Sequence, residues 1–253
     1  MIYKRAAARL KAQDWLAILI ELAIVILGVF IGTQVANWND ERLERKDNAR
    51  VLRNLKPEIA SMVAQFQTIG TYYGTSKRYA ETAFAGWRGD PRVSDRDFVV
   101  AAYQASQAYV TGVNSDTWSQ IYGSDRLRTI GDRAIRKDLS VLMTTDYAAM
   151  EREVYSQYRQ HTREIIPSEV QDAVREQCGD RSIAGGYGSL FLPPVCDLDH
   201  PQQRMAAAAA ALRAHPELVS QLNWHLAAVA SYRSNIGTVD RVAQDLLRRL
   251  DKA

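Results

Sequence analysis

The strongest pattern in the chain is an unbroken, almost entirely apolar run from Trp15 to Val35. As a helix rising about 1.5 Å per residue, the run would be about 31 Å long, which matches a hydrocarbon core of about 30 Å. Trp15 and Trp38 flank it, as aromatic residues do at membrane interfaces. The run is too long for the apolar core of a cleaved signal peptide, and no small-x-small cleavage site follows it. The sequence therefore predicts a retained transmembrane helix over residues 15–36.

Basic residues on both sides of this run bear on its orientation. They are Lys4, Arg5, Arg9 and Lys11 before it, and Arg42, Arg45, Lys46, Arg50 and Arg53 after it. A long domain crosses a membrane largely regardless of its charge, whereas a short basic tail resists translocation. We therefore expect residues 1–14 to form a short basic cytoplasmic tail and residues 37–253 to form a domain on the other side of the membrane.

One face of the predicted membrane helix carries small residues and an acid. Gly28, Gly32 and Ala36 recur every four residues, which lets a second helix backbone approach closely, and Glu21 falls on the same face. A charged carboxylate facing lipid costs a few kcal/mol, so Glu21 should face a partner helix. Two interpretations stay open. A protonated Glu21 hydrogen-bonds across a pair of self-associating helices, or it is an ion or proton relay site in a larger membrane assembly.

Beyond the membrane the apolar spacing is helical. Apolar residues at steps of three and four form a seam at Leu52, Leu55, Ile59, Met62, Phe66, Ile69 and Tyr73, with Pro57 inside it marking a kink or a new helix. A second seam repeats every seven residues at Leu222, Val229, Ile236, Ala243 and Leu250, with His225, Tyr232, Val239 and Leu246 between them. Since no segment alternates like a strand, the predicted fold class is all-α: one N-terminal transmembrane helix continuing into a helical-bundle soluble domain.

Glycine, proline and capping residues divide the remaining chain. Turns are predicted at Gly70, Gly74, 86–91 and 112–115, and helices at 94–110, 116–122, 132–165, 168–178 and from Pro216 to the end. Ser94 is a predicted N-cap. The segment 132–165 is expected to be the longest helix of the soluble domain, with Leu139, Leu142, Met143, Met150 and Val154 on its inner face.

Composition narrows the function classes. A hydrophobic content of 47% with 24% charged residues is typical of a folded protein. The net charge of +3 is small and no basic stripe dominates, so the sequence does not favour a nucleic-acid partner.

The two cysteines, Cys178 and Cys196, bracket a loop rich in glycine and proline. A disulfide between them is expected if the domain faces an oxidising compartment, and two ordinary buried thiols are the alternative. The nearest other metal ligands, Asp197, Asp199 and His200, fit no standard zinc spacing, so we predict no metal site.

No motif for catalysis or cofactor binding rises above background. His225 lies on an apolar seam and is expected to be a core histidine. The stretch from Gly185 to Ser189 lacks the lysine and the following helix of a phosphate-binding loop, and no nucleophile elbow is present. We therefore predict no catalytic residue, no cofactor and no enzymatic activity.

Three stretches resemble a family of bacterial membrane proteins of unknown function. In that family an N-terminal membrane helix carries a Glu near its start and ends in Gln-x-x-Asn-Trp-Asn; the corresponding residues here are Glu21, Gly28, Gly32, Gln34, Asn37, Trp38 and Asn39, followed by Glu41 and Arg42. The segment from Ile121 to Ile130 is a looser match, and Asn54 with Leu55 also fits. The resemblance implies a single-pass inner-membrane anchor with a helical periplasmic domain, and it implies no activity.

The sequence is compatible with three functions. The first is a non-enzymatic scaffold or accessory subunit, anchored in the lipid bilayer, that forms a homo-oligomer or binds protein partners. The second is an ion-coupled or force-transmitting subunit that uses Glu21 beside a multi-pass membrane partner. The third is a periplasmic ligand sensor, which would need a separate transducer because its cytoplasmic tail is so short.

Overall fold

The protein is described here from a computed structural model, which covers residues 15–109, 116–123, 126–183 and 189–252. The chain divides into two compact units, Met1–Val51 and Leu52–Ala253. Helix α1, Trp15–Trp87, contains residues of both. Further helices follow, so the predicted all-α class is confirmed. The predicted divisions after residues 14 and 36 concern the membrane and stay predictions.

The elements after α1 are short except for the last. In chain order the helices are α2 (Asp95–Ala105), α3 (Asp116–Gly123), a 3-10 turn (Arg126–Thr129), α4 (Arg133–Thr144), α5 (Tyr147–Arg152), α6 (Gln157–Ile165), α7 (Ser168–Cys178), α8 (Gln202–Arg213) and α9 (Glu217–Leu250). Two short strands, β1 (Arg181–Ser182) and β2 (Leu190–Phe191), lie between α7 and α8. They pair antiparallel, with Arg181 opposite Phe191.

Helix α1 is longer than the sequence indicated. It contains Pro57, Gly70 and Gly74, so no new helix begins at the proline and the turns predicted at the two glycines are wrong. The predicted apolar seam explains the difference, because all of its members from Leu55 to Tyr73 are buried. A glycine inside a helix costs only about 1 kcal/mol, and the packing of a continuous buried face outweighs it.

The single helix predicted over 132–165 is wrong, because three helices occupy this region. Asp132, where the predicted helix began, is the N-cap of α4. Asp146 then caps α5, its carboxylate accepting a hydrogen bond from the Ala149 backbone N–H at 2.8 Å, and Ser156 occupies the N-cap position of α6. The Asp146 side chain thereby satisfies a backbone N–H group at the start of α5. The Ser156 hydroxyl makes no such bond and lies instead 2.9 Å from His225 Nδ1. Of the predicted inner face, Leu139, Leu142 and Val154 are fully buried, while Met143 and Met150 are half-buried.

The remaining predictions agree with the structure to different degrees. Helix α7 has the predicted bounds. Helix α2 has the predicted cap, with the Ser94 hydroxyl accepting from the Asp97 backbone N–H at 3.1 Å, but it ends at Ala105. Helix α8 was not predicted, although its run of alanines after Pro201 is a helix-forming signal. The turn predicted at 112–115 lies outside the described residues.

The core of the second unit, Leu52–Ala253, forms around α2 and α9. Helix α2 packs on α8 and α6, and α9 packs on α4, α5 and α6. The predicted seven-residue seam of α9 is confirmed, since every residue in it, His225 included, is buried. In α2 the residues from Phe98 to Ala105 are all buried, so this helix is enclosed on every side.

Gly86, near the end of α1, is required by the close approach of Phe98. A Cβ atom at position 86 would lie 2.1 Å from the Phe98 ring, and Phe98 itself is fully buried. Trp87 meets the same ring edge-on at 5.1 Å, so the phenyl group is held from two sides.

We expect Gly86→Ala to lower the free energy of unfolding by about 1–3 kcal/mol, because the added methyl group overpacks the core. Guanidinium unfolding of the full-length protein in mild detergent measures this. Gly74→Ala is the matched control, since a Cβ there meets nothing within 4 Å and should stabilise α1 by about 0.5–1 kcal/mol. Equal stability of the two variants would show that Phe98 moves away at no cost.

Candidate functional site

The apolar stretch of α1 is exposed over most of its length. Except for Ile18, which is half-buried, its large apolar side chains from Leu16 to Val35 are each more than half exposed, and Trp15 and Trp38 at its two ends are 60% and 61% exposed. Within the described residues α1 is the helix that is long and apolar enough to cross a membrane. An apolar surface of this size is not found on monomeric proteins surrounded by water.

The face predicted to contact another helix is open within the single chain. Glu21, Gly28, Gly32 and Ala36 are all exposed, and a Cβ atom added at either glycine would meet nothing within 4 Å. Glu21 already has an interaction partner within its own chain. The two glycines therefore leave a shallow recess along the helix that no described part of the chain fills.

Cys178 and Cys196 form a disulfide, with their Cα atoms 5.4 Å apart. Of the two alternatives that the sequence left open, the structure therefore has the bonded one. Cys178 is 3% exposed, at the end of α7. The bond closes a loop that contains both short strands.

This disulfide-closed loop is tied to α1 by two tyrosines. The Tyr72 hydroxyl donates to Asp180 Oδ2 at 2.9 Å, and the Tyr79 hydroxyl donates to the Pro193 carbonyl at 2.8 Å. Burial, and secondarily the charge of Asp180, raises the pKa of Tyr72 well above its usual range, so its hydroxyl stays a donor at any ordinary pH.

Two glutamines hold the ends of the same loop. Gln104 of α2 donates from Nε2 to the Cys178 carbonyl at 2.6 Å. Gln177 makes two hydrogen bonds with the backbone of Asp199, at 3.0 and 2.8 Å. The loop is therefore fixed by hydrogen bonds as well as by the disulfide, a role for these polar residues that no sequence pattern indicated.

A groove of about 260 Å³ lies between α1 and the disulfide-closed loop. One wall is polar and comes from α1, with Gln67, Thr68, Thr71, Tyr72 and Thr75; the other is apolar and comes from the loop, with Ile183, Leu190, Phe191 and Leu192. A second groove, of about 470 Å³, lies between α1 and α9. Of the glycine-rich stretch from Gly185 to Ser189, residues 185–188 lie outside the described residues.

The C-terminal end of α2 is buried and is surrounded by donors from two other helices, α1 and α6. The Tyr158 hydroxyl donates to the Ala102 carbonyl at 2.9 Å, and the Ser76 hydroxyl donates to the Ala105 carbonyl at 3.2 Å. Arg159 Nη1 donates to the carbonyl of Ser106, the C-cap residue, at 2.6 Å. A helix leaves its last carbonyls without partners inside the helix, and burial makes such partners necessary.

Arg159 also brings a positive charge to this helix end. A cation there interacts favourably with the negative end of the helix dipole. Burial, and secondarily the nearby charge of Arg163, lowers the pKa of Arg159, although an arginine stays protonated under such conditions. Arg163 stacks over the Tyr103 ring at 4.3 Å and donates to Gln107 Oε1 at 2.9 Å.

His225 is a core residue, as predicted. It is fully buried, its Nδ1 lies 2.9 Å from the Ser156 hydroxyl, and its ring packs beside that of Tyr158. Burial lowers the pKa of His225 from 6.5 to about 4, so the folded protein holds a neutral imidazole.

Among the described residues, no group of three or more His, Cys, Asp or Glu side chains is placed to hold a metal ion. Compared with protein-family models, with curated proteins and with solved structures, the chain gives no match. The family resemblance drawn from the sequence, like the absence of enzymatic activity, stays a prediction.

Removing the disulfide should lower the free energy of unfolding by roughly 3 kcal/mol, because the unfolded chain regains the entropy that the closed loop denies it. The Cys178→Ser, Cys196→Ser double variant and the chemically reduced wild type should lose similar amounts in guanidinium unfolding. Adding reductant to the double variant is the control and should change nothing. Unchanged stability on reduction of the wild type would show that the hydrogen bonds alone hold the loop.

Acid should destabilise the protein through His225. The pKa of His225 is about 4 in the folded protein, against an ordinary value of 6.5 that applies to the unfolded chain. Between pH 4 and pH 6.5 the imidazole is therefore protonated in the unfolded state and neutral in the folded state. The free energy of unfolding keeps its full value above pH 6.5 and falls by roughly 3 kcal/mol in total as pH falls towards 4. The His225→Gln variant should lack this part of the pH dependence, as measured by unfolding at pH 7 and pH 4. A parallel pH dependence in the two proteins would contradict the assignment.

Proposed function

We propose that this chain is a membrane-anchored helical scaffold or accessory subunit whose copies associate within the membrane. The apolar part of α1 spans the bilayer, and the face formed by Glu21, Gly28, Gly32 and Ala36 contacts another helix. The helical domain holds protein partners on the non-cytoplasmic side. The observation that carries this proposal is the long exposed apolar stretch at the start of a helix whose later residues belong to a packed core.

The exposed stretch supports membrane insertion on energetic grounds. Each large apolar side chain moved from water into lipid contributes about 1.5–3 kcal/mol, and more than ten such side chains are exposed between Trp15 and Val35. A stretch of helix forms all its backbone hydrogen bonds internally, as a membrane span requires.

The disulfide supports the proposed orientation. Disulfides persist in oxidising compartments and are rare in the cytoplasm. Cys178 and Cys196 are bonded, which favours a helical domain outside the cytoplasm. The basic residues on the two sides of the span are nearly balanced in number, but a short basic tail resists translocation, which also favours an N-terminus in the cytoplasm. In a bacterium, as the family resemblance implies, the membrane would be the inner membrane and the compartment the periplasm.

The open glycine face supports association through the membrane. Helices in lipid associate by close packing, and small residues allow the backbones to approach. Because a Cβ at Gly28 or Gly32 meets nothing in the single chain, larger residues there leave the fold of one copy intact and act on contacts between copies.

Crosslinking in the membrane, followed by gentle detergent purification and mass spectrometry, tests the proposal. We expect wild-type protein to give homo-oligomers, and Gly28→Leu with Gly32→Leu to reduce them roughly tenfold, equivalent to about 1.4 kcal/mol. Leu16→Ala, at least a third of a turn around the helix from this face, is the control and should crosslink like the wild type.

Two results would overturn this proposal. Wild-type protein that stays monomeric in the membrane and brings no partner would exclude the scaffold. A stoichiometric multi-pass partner instead of homo-oligomers would favour the alternative in which Glu21 serves ion coupling. Glu21→Gln would then abolish the activity of that complex.

A further inference from the structure

Directly after the apolar stretch, α1 separates its charges onto two opposite faces. At about 100° per residue, the basic residues fall within about 140° of the helix circumference and the acidic residues within about 120° on the other side. The basic face consists of Arg42, Arg45, Lys46 and Arg50, and the acidic face consists of Asp40, Glu41, Glu44 and Asp47.

Two ion pairs within the helix mark the borders of these faces. Arg45 lies 3.7 Å from Glu41 at one border, and Arg50 pairs with Asp47 at the other. The residues at the centres of the faces, Arg42 and Lys46 on one side and Asp40 and Glu44 on the other, are exposed. A soluble helix stabilised only by its own charge pairs would mix the two signs along one face.

Copies anchored in one membrane in the same orientation place these faces at the same height. If two copies met with their basic faces, Arg42 and Lys46 of one copy would lie against the same residues of the other. Facing like charges costs several kcal/mol, and the acidic faces repel one another in the same way. A basic face against an acidic face brings Lys46 level with Glu44 of the neighbour, within about 3 Å along the axis.

We propose that copies of this chain pack side by side, the basic face of one copy against the acidic face of the next. This inference rests on the proposed function, because it needs self-association in a common membrane. A pair of copies then keeps one free basic face and one free acidic face, so that either end can take a further neighbour. Such a head-to-tail interface generates a ring or a row, whereas like faces would close a two-fold dimer.

The apolar stretch is compatible with the same arrangement. Gly28 lies about four turns before Arg42, on the side of the basic face, and Ile26 lies about five turns before Glu44, on the side of the acidic face. Phe30 shares the side of Ile26, and both are 58% exposed. The glycine recess of one copy would therefore receive bulky side chains of its neighbour.

Single cysteines in the full-length protein test the arrangement directly, with the native disulfide left in place. A mixture of Lys46→Cys copies and Glu44→Cys copies should form crosslinked dimers in the membrane, and Lys46→Cys copies alone should form at least about tenfold fewer. The opposite result, efficient crosslinking of Lys46→Cys copies to each other, would show that like faces meet and would overturn the proposal.

Charge reversal gives an independent test. Arg42→Glu with Lys46→Glu makes both faces acidic, and Asp40→Lys with Glu44→Lys makes both basic. Each variant alone should lose its oligomers by at least about tenfold, and co-expression of the two should restore mixed oligomers. Lys77 is exposed on the part of α1 that belongs to the unit Leu52–Ala253. The Lys77→Glu variant is therefore the control and should associate like the wild type.

The outcomes separate this inference from the proposed function. Oligomers that survive both charge reversals would overturn the inference while the proposed self-association stands. Wild-type protein that is monomeric in the membrane would overturn both.

Discussion

The fold depends on one constraint, which is that the carbonyl end of a short helix is buried in the core. Helix α2 is enclosed from Phe98 to Ala105, and its last carbonyl groups point among other helices and away from water. An unpartnered buried carbonyl costs about 1–3 kcal/mol, so each needs a donor. Ser76 of α1 and Tyr158 and Arg159 of α6 supply these donors, which fixes both helices relative to α2.

The disulfide-closed loop is attached to the same short helix and to α1. Gln104 of the same enclosed helix holds the Cys178 carbonyl, and Tyr72 and Tyr79 of α1 hold other parts of the loop. The bond and the hydrogen bonds therefore position the loop against α1, where the two form a groove with one polar and one apolar wall. Since a disulfide of this kind requires an oxidising compartment, the stability of the domain and its proposed location outside the cytoplasm are linked.

Charged side chains have different surroundings in the two units of the chain. In the unit Leu52–Ala253, Arg159 and Arg163 are half-buried and are held in place by a carbonyl, an amide and an aromatic ring. Close to the apolar stretch, the charges of α1 are exposed and separated by sign. The first arrangement serves packing within one chain. The second is suited to contacts between chains, because complementary faces select the orientation of a neighbour and reject like faces.

Patterns along the sequence determined the fold class, the exposed apolar stretch, the buried seams of α1 and α9, the core position of His225 and the N-cap at Ser94. These features follow from periodicity and local side-chain chemistry, which the sequence contains directly. Tertiary structure decided the rest: the continuity of α1 through Pro57, the breaks at Asp146 and Ser156, and the donors around α2. The continuity of α1 and the donors around α2 depend on packing or hydrogen bonds between residues far apart in the chain, and such contacts leave no local pattern. The cap at Asp146 is a local contact with Ala149, which the prediction of one helix over 132–165 missed. The disulfide was predicted only in part. The sequence identified its two cysteines as possible partners, and the fold brings their Cα atoms to within 5.4 Å of each other.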